Sequence, residues 1–332
     1  MIIKDNLLGD IKIENQIIID LIQSPQMQRL KHISLGSYYP AYPDVAHKAN
    51  RFEHSIGVYF LLNKFNASLE EQIAGLIHDV SHSAFSHTID YILNEDKNLS
   101  YKQNHQYNIH NDFILNSDIC NILKKHEIDI DLVLNSDFKL LDNEYPNLCA
   151  DRIDNGIRGA LNIENYDYKN ISKIINGLTI YNNSFVFTNT ESAQLFYDLF
   201  QYGNEYYWAN EKSAVMFFLN KQLFKYALKK GYLLKEDFYK YNDKEIIEKI
   251  GNYKNDEELN RLINYLHQKN YKQFLIKNSQ KNSEEILCKF RRVNPYIIEN
   301  KEIKKLSFFN KKIEQDFIKN TPKYNSYNIY YN

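Results

Sequence analysis

The chain has 332 residues, 43% of them hydrophobic and 14% aromatic, and 41 Lys and Arg face 42 Asp and Glu for a formal net charge of -1. That length buries a sizeable core, as one large helical domain or a main domain with an appendage, and the near-neutral balance gives no support for broad, sequence-independent binding to a nucleic-acid backbone. Three cysteines without a CxxC pair argue against a disulfide framework, Asp5, Asp10 and Glu14 interrupt any leader-like apolar run, and no stretch approaches a membrane span, so a cytoplasmic protein with no membrane partner is expected.

Residues from Met1 to about Glu14 alternate weakly around a turn at Gly9–Asp10 and predict a short hairpin. A helix is predicted over Ile17–His32, followed by a loop over 35–50 marked by Gly36, Pro40 and Pro43. The stripe Phe52, Ile56, Tyr59, Phe60 and Leu62 predicts a helix through Asn63 or beyond. Ser68-Leu69-Glu70-Glu71 reads as a capping box for a helix ending near Asp79, with another over Ala84–Leu93. The Asn-rich stretch 94–109 reads as a loop, and helices are expected across His110–Leu123 and Asn147–Leu161.

Leu178–Ile180 and Phe185–Phe187 flank an Asn182-Asn183 turn, which predicts a second hairpin. Thr188-Asn189-Thr190-Glu191 reads as a second capping box, opening a long helix with a weak point at Gly203. Residues 242–267 read as two shorter helices, alternation from about 271 onward predicts a small sheet, and the Asn- and Tyr-rich tail after Lys319 reads as poorly ordered. The fold class is therefore mainly α, with a small β-hairpin and C-terminal β elements.

The chemistry is concentrated early. Six of the ten histidines fall between positions 54 and 110: His54, His78, His82, His87, His105 and His110. The pair His78-Asp79 ends an apolar helix, and a buried carboxylate beside an imidazole needs a partner charge that a divalent cation supplies. Taken alone, the pair also fits a histidine interacting with a helix dipole. His54 lies one helix upstream. Downstream, Asp151, Asp154, Asn155 and Arg158 fall on one helical face, which a solvated surface helix would also show. His87 and Asp90 lie three apart, so Asp90 is placed to orient the imidazole and raise its basicity.

In this order and with these flanks, the motifs resemble the HD-domain metal-dependent phosphohydrolases, and most of all their dNTP triphosphohydrolase branch. The resemblance is carried by Gln28-Arg29-Leu30, Arg51-Phe52-Glu53-His54-Ser55-Ile56-Gly57-Val58, Ile73 through Asp79, Phe85-Ser86-His87 and Asp151-Arg152-Ile153-Asp154. It continues more weakly through 188–240 and Phe290–Pro295. It implies an HD-domain helical catalytic core over 1–170, with a helical and small-sheet region over 171–332 packed on it. It implies one divalent metal ion (Mn, Fe, Ni, Zn or Mg) held by His54, His78, Asp79 and Asp151, which would polarise a phosphoryl oxygen and activate water. His82, His87 and His110, with Asp90, are then candidates for proton transfer and for holding phosphates. Arg51 and Arg152 would neutralise phosphate charge.

The nucleotide pocket departs from the branch. Ser34 stands where Gln is usual before Leu-Gly, Asn155 replaces a Tyr, Gly159 an Asp, and Asn111 the acid after His110. The stretch Tyr207-Trp208-Ala209-Asn210-Glu211 replaces the region supplying a His and a Tyr near the sugar, which leaves Asn155, Tyr207 and Glu211 as substrate-binding candidates. Gln23 and Lys31 alter the arm linked to guanine-nucleotide regulation, so no dGTP-type activation is expected. The expected partner is a phosphorylated small molecule of nucleotide type, bound in a pocket whose polar groups decide whether a sugar hydroxyl is accepted. The branch often forms dimers or higher assemblies, so a homo-oligomer is compatible with the sequence. A nucleotide-sensing regulatory protein that keeps its metal, and a nuclease disfavoured by the charge balance, are the alternatives.

Overall fold

In the computed structural model the described residues are 1–36, 38, 40–42, 48–93, 105–276, 283–299, 302–318 and 324–330. The chain opens with an antiparallel hairpin, β1 (Ile2–Asp5) and β2 (Gly9–Lys12), whose turn spans residues 6–8 and not Gly9–Asp10. The helix predicted over Ile17–His32 is broken into α1 (Gln16–Gln23), α2 (Pro25–Arg29) and a 3-10 turn, Leu30–His32. The break is at Ser24: it caps the second helix through its hydroxyl, and Pro25 occupies a first-turn position where its missing N–H costs nothing.

Helix α3 (Arg51–Lys64) starts from a reciprocal capping box between Asn50 and Glu53. It is buried on most sides, sending Phe52, Ile56 and Tyr59 into one apolar cluster and Val58, Leu61 and Leu62 into another. Helix α4 (Leu69–Ile77) is capped by the Ser68 hydroxyl, but the box is half-made. The Glu71 carboxylate instead accepts from the amides of Leu140 and Leu141, tying α4 to the approach of a later helix. Helix α5 (Thr88–Leu93) begins four residues later than predicted, because Phe85 and Ser86 have φ of 61° and 49° and cannot continue a right-handed helix.

The loop expected over 94–109 lies outside the described residues up to 104, and 105–109 already belong to α6 (His105–Leu115). The helix expected over His110–Leu123 is interrupted at Asn116–Ser117 before α7 (Asp118–Lys125), and α8 (Ile130–Asn135) follows. Helix α9 (Ala150–Arg158) ends in a 3-10 turn, and α10 (Lys169–Asn176) leads into the predicted hairpin β3 (Leu178–Tyr181) and β4 (Ser184–Phe187). Asn189, not Thr188, caps α11 (Thr190–Gly203). At the predicted weak point a π-helical turn, Asn204–Trp208, separates it from α12 (Glu211–Lys229).

Short helices α13 (Asp237–Lys240), α14 (Asp243–Gly251) and α15 (Glu257–Leu266) pack around α12. Then come β5 (Glu284–Lys289), β6 (Tyr296–Glu299), β7 (Glu302–Lys305), α16 (Leu306–Phe309), α17 (Lys311–Ile318) and β8 (Tyr324–Ile329). One sheet has the order β3-β4-β6-β7, and β5 pairs with β8 in a separate antiparallel ribbon. No described helix is long and apolar enough to cross a membrane.

Within the tail predicted to be poorly ordered, residues 324–329 form the strand β8. It pairs over its whole length with β5, and Ile329 is fully buried in the cluster around α12. Ile329→Ala is expected to lower the unfolding free energy by about 2–4 kcal/mol, the range for truncating a buried Ile. Urea unfolding of the full chain checks this, and a change below about 0.5 kcal/mol, as for a surface site, contradicts a docked tail.

Candidate metal centre and cleft

Three helices bring the metal candidates together. His54 lies one turn into α3, which packs against both α4 and α9; His78 is the residue at which α4 ends; Asp151 is in the first turn of α9. One donor atom from each of His54, His78 and Asp151 lies within 4.8 Å of the others. His54 Nε2 is 2.9 Å from Asp151 Oδ1 and 3.2 Å from His78 Nε2. Asp79 adjoins this triangle, with Oδ1 3.3 Å from His78 Nε2 and Oδ2 4.0 Å from His54 Nε2.

The second nitrogen of each imidazole decides what the first can do. His78 Nδ1 is 2.8 Å from the Gly75 carbonyl, which only accepts, so Nδ1 carries the proton and Nε2 a lone pair. His54 Nδ1 faces Asp154 Oδ2 at 2.7 Å and donates to it. The two Nε2 atoms therefore meet at 3.2 Å beside a carboxylate, an arrangement that needs positive charge there, either a proton on His54 or a cation in its place. Burial opposes a charged His54, yet hydrogen bonds to Asp151 and Asp154 outweigh it and raise the imidazole to about 9. Burial likewise opposes a charged Asp151, but its bond with His54 draws it down to about 2. The donor set, two imidazoles and two carboxylates, fits a borderline divalent cation.

Asp154 is itself held. Arg158 Nε donates to its Oδ2 at 2.6 Å, and Arg158 Nη2 reaches Asp5 in β1 at 3.0 Å. A buried file of alternating charge thus runs from the N-terminal hairpin through Arg158 and Asp154 to His54. Gly57 makes room for it, since a Cβ there would sit 1.8 Å from Asp154 Oδ1.

The turn after α4 carries His82 and His87. Burial opposes the charge on Asp79, but the Arg51 guanidinium, donating to its Oδ2 at 2.6 Å, holds the carboxyl well below its usual range. Arg51 Nε also donates to the Ser86 hydroxyl, which donates to the Ser34 carbonyl. The Phe85 amide donates to Asp243 at 2.7 Å, and Arg29 donates to the His82 carbonyl at 2.9 Å. These bonds hold two left-handed residues in place and set His82 and His87 edge to face, 5.2 Å apart. Burial first, then Arg51, pushes His82 far below its ordinary value, and its Nε2 lies 3.3 Å from Asp79 Oδ1. Burial also lowers His87 despite Asp90, whose Oδ2 is 3.5 Å from His87 Nδ1.

The metal triangle opens into a cleft lined by Leu35, Gly36, Arg51, His82, His87, Gln106, Tyr107, Tyr145, Arg152, Asn155, Phe200, Tyr207, Trp208, Phe217, Lys289 and Arg291. Among the predicted substrate residues, Arg51, Arg152, Asn155 and Tyr207 line it. Glu211 does not: it is exposed in the first turn of α12, where it accepts from the Tyr271 hydroxyl at 3.4 Å. His110 lines an adjoining cavity that shares His78 and Asp151 with the cleft, and its Nδ1 is 2.9 Å from the Ser81 hydroxyl. Sequence reasoning did not single out Gln106, Tyr107, Tyr145, Trp208, Lys289 or Arg291 for the site. It placed Asp154 on the right face without pairing it to His54; the three-residue step from Asp151 was the available signal.

An HD-domain family model matches residues 51–151, a span that begins at Arg51 and ends on Asp151. The uncharacterized protein YdhJ of Bacillus subtilis is 33% identical over 269 residues, covering 77% of this chain and 77% of that protein. The chain belongs to the HD-domain family of metal-dependent phosphohydrolases. A metal-dependent phosphohydrolase of Cordyceps militaris, cns2, is 29% identical over 178 residues, covering 54% of this chain and half of that relative's length. The deoxynucleoside triphosphate triphosphohydrolase SAMHD1 of Homo sapiens is 37% identical over 105 residues, 27% of this chain and 16% of that protein. The fold of the whole chain is similar to that of a phosphohydrolase of Bacteroides thetaiotaomicron, at a TM-score of 0.72 and 17% identity, covering 99% of both chains.

Asp154→Asn keeps the shape but removes the charge behind His54, and should weaken divalent-metal affinity roughly 10–100-fold. Metal titration of the stripped protein checks this, and wild-type affinity would show that the buried file does not tune the ligand. Burial, with a further push from His78, depresses His110 to about 4. Between 6.5 and that value the unfolded chain binds a proton the folded chain does not, so stability is lost as pH falls through this window. His110→Gln should flatten that part of the unfolding free energy against pH; an unchanged slope would assign the effect elsewhere.

Proposed function

We propose that the chain hydrolyses a phosphate ester or triphosphate of a nucleotide or nucleotide-like molecule, as a (d)NTP triphosphohydrolase-like enzyme with an altered sugar pocket. The observation that carries this reading is a single cleft in which His54, His78 and Asp151 face a wall of Phe200, Tyr207, Trp208 and Phe217. Aromatic faces suit a flat base, and the metal triangle suits the phosphate end. The partial match to a deoxynucleoside triphosphate triphosphohydrolase supports the same substrate class.

A divalent cation bound at the triangle supplies Lewis acidity and a more acidic water. The side chains around it arrange protons and charge. His87 is neutral near pH 7 and has Asp90 behind Nδ1, so Nε2 serves as the cleft-facing site for a proton. Arg51 holds Asp79 ionised, and His82 Nε2 lies 3.3 Å from the carboxylate's other oxygen. Gln106 donates to the His78 carbonyl at 2.6 Å and fixes the end of α4. Asn155 Oδ1 is buried at the cleft without a hydrogen-bond partner among the described residues, an acceptor for a hydroxyl or N–H of the substrate.

The decisive assay is release of phosphate, pyrophosphate or tripolyphosphate from ribo- and deoxyribonucleotides and from non-nucleotide esters, with metal supplied and then chelated. Turnover of nucleotides is expected, falling to background on chelation and in Asp79→Ala and Asp151→Asn. Turnover confined to non-nucleotide esters overturns the substrate class. Tripolyphosphate release from dNTPs alone overturns the altered sugar pocket, and activity surviving Asp79→Ala overturns the mechanism.

A further inference from the structure

The two arginines that the sequence assigns to phosphate are already engaged by the protein. Arg51 bonds Asp79 and Ser86. Arg152 donates to the carbonyls of Asn143 and Asn147, and its guanidinium lies 3.9 Å over the Tyr145 ring. Two further cations line the cleft: Lys289, at the end of β5, and Arg291, two residues beyond it, whose guanidinium lies 5.3 Å from the Trp208 ring centroid.

Their placement follows from strand geometry. Alternate residues of β5 share a face, and Lys289 is its last residue. Cys288 and Phe290 turn into the cluster around α12, which leaves Lys289 and Arg291 on the cleft side. The strand end is fixed from two directions. It pairs with β8 through Lys289–Tyr324, and the buried Asn204 of the π-helical turn accepts from the Arg291 amide at 2.9 Å and donates to its carbonyl at 2.6 Å. Among the described residues Lys289 makes no ion pair; its ammonium stands 5.8 Å from the Tyr145 ring centroid. Burial first, and then repulsion from Arg291, pushes Lys289 down to about 8. Two like charges fixed together at a half-buried wall are unfavourable, and a polyanion between them reverses the sign.

We propose that Lys289 and Arg291 form a phosphate-binding arm, gripping the phosphates of a polyphosphate substrate that lie beyond the one held at His54, His78 and Asp151. This rests on the nucleotide-polyphosphate reading and adds to it the residues that select chain length in phosphate.

The test is calorimetric binding of inorganic tripolyphosphate to the metal-loaded full chain, with inorganic monophosphate as control. Lys289→Met and Arg291→Gln should each weaken tripolyphosphate binding by roughly tenfold or more and monophosphate binding far less, whereas Lys289→Arg restores most of the loss. With a turned-over nucleotide, KM should rise while kcat is largely kept. Equal tripolyphosphate affinity in wild type and both variants, or no binding by wild type, overturns the arm. So does an equal loss for both anions. If Lys289→Met loses its metal or its folded state, Arg291→Gln and Lys289→Arg decide. The probe has neither base nor sugar, so the nucleotide reading stands or falls separately on the substrate panel.

Discussion

Two imidazole Nε2 atoms 3.2 Å apart, each with its ring's Nδ1 committed elsewhere, impose the central electrostatic demand on this molecule. Repulsion between them and a neighbouring carboxylate is relieved only by positive charge. The fold supports that arrangement at some distance. Asp154 fixes the His54 tautomer, Arg158 fixes Asp154, and Asp5 in the opening hairpin neutralises Arg158. A charged file of this kind inside a core is unfavourable unless every member is paired. Here the pairing is continuous from the first strand to the metal triangle, and the absence of a side chain at Gly57 leaves room for it.

The same logic separates Asp79 from Asp151. Both carboxylates are held ionised, but by different means. Asp79 is buried and answered by the guanidinium of Arg51. Asp151 is answered by His54, which can give up its proton to a competing cation. Arg51 thus acts as a structural counter-ion as well as a cleft residue, and its second bond, to Ser86, couples the metal centre to the turn carrying His82 and His87.

Much of this was legible from sequence where one local rule decides the outcome. The stripe from Phe52 to Leu62 and the Asn182-Asn183 turn gave a helix and a hairpin because periodicity and turn chemistry are local. The failures fall where distant groups override local preference. Phe85 and Ser86 look helical, but Asp243 and Arg51, far off in sequence, hold them left-handed. Glu71 completes a capping box on paper, yet two amides near residue 140 claim its carboxylate. The polar tail looked unstructured because its partner strand, β5, provides the apolar context that single-sequence reasoning lacks. Asp154 was visible on the correct helical face, while its role depended on a histidine in another helix.

The metal triangle and the cleft wall are built from different parts of the chain. His54, His78 and Asp151 sit on three mutually packed helices whose positions are fixed by core contacts and caps. The wall is assembled from the loop at Leu35–Gly36, the π-helical turn bearing Tyr207 and Trp208, and the strand end bearing Lys289 and Arg291. A residue exchanged in a turn or at a strand end reshapes the wall without displacing the helices that orient the ligands. The departures from the dNTP triphosphohydrolase pattern include Ser34, Asn155 and 207–211, whereas His54, His78, Asp79 and Asp151 are all retained. Of the departing residues, Asn155 is the exception in being carried by a ligand-bearing helix. Its side chain faces the cleft one turn beyond Asp151, so there too the exchanged residue belongs to the wall and not to the candidate metal ligands.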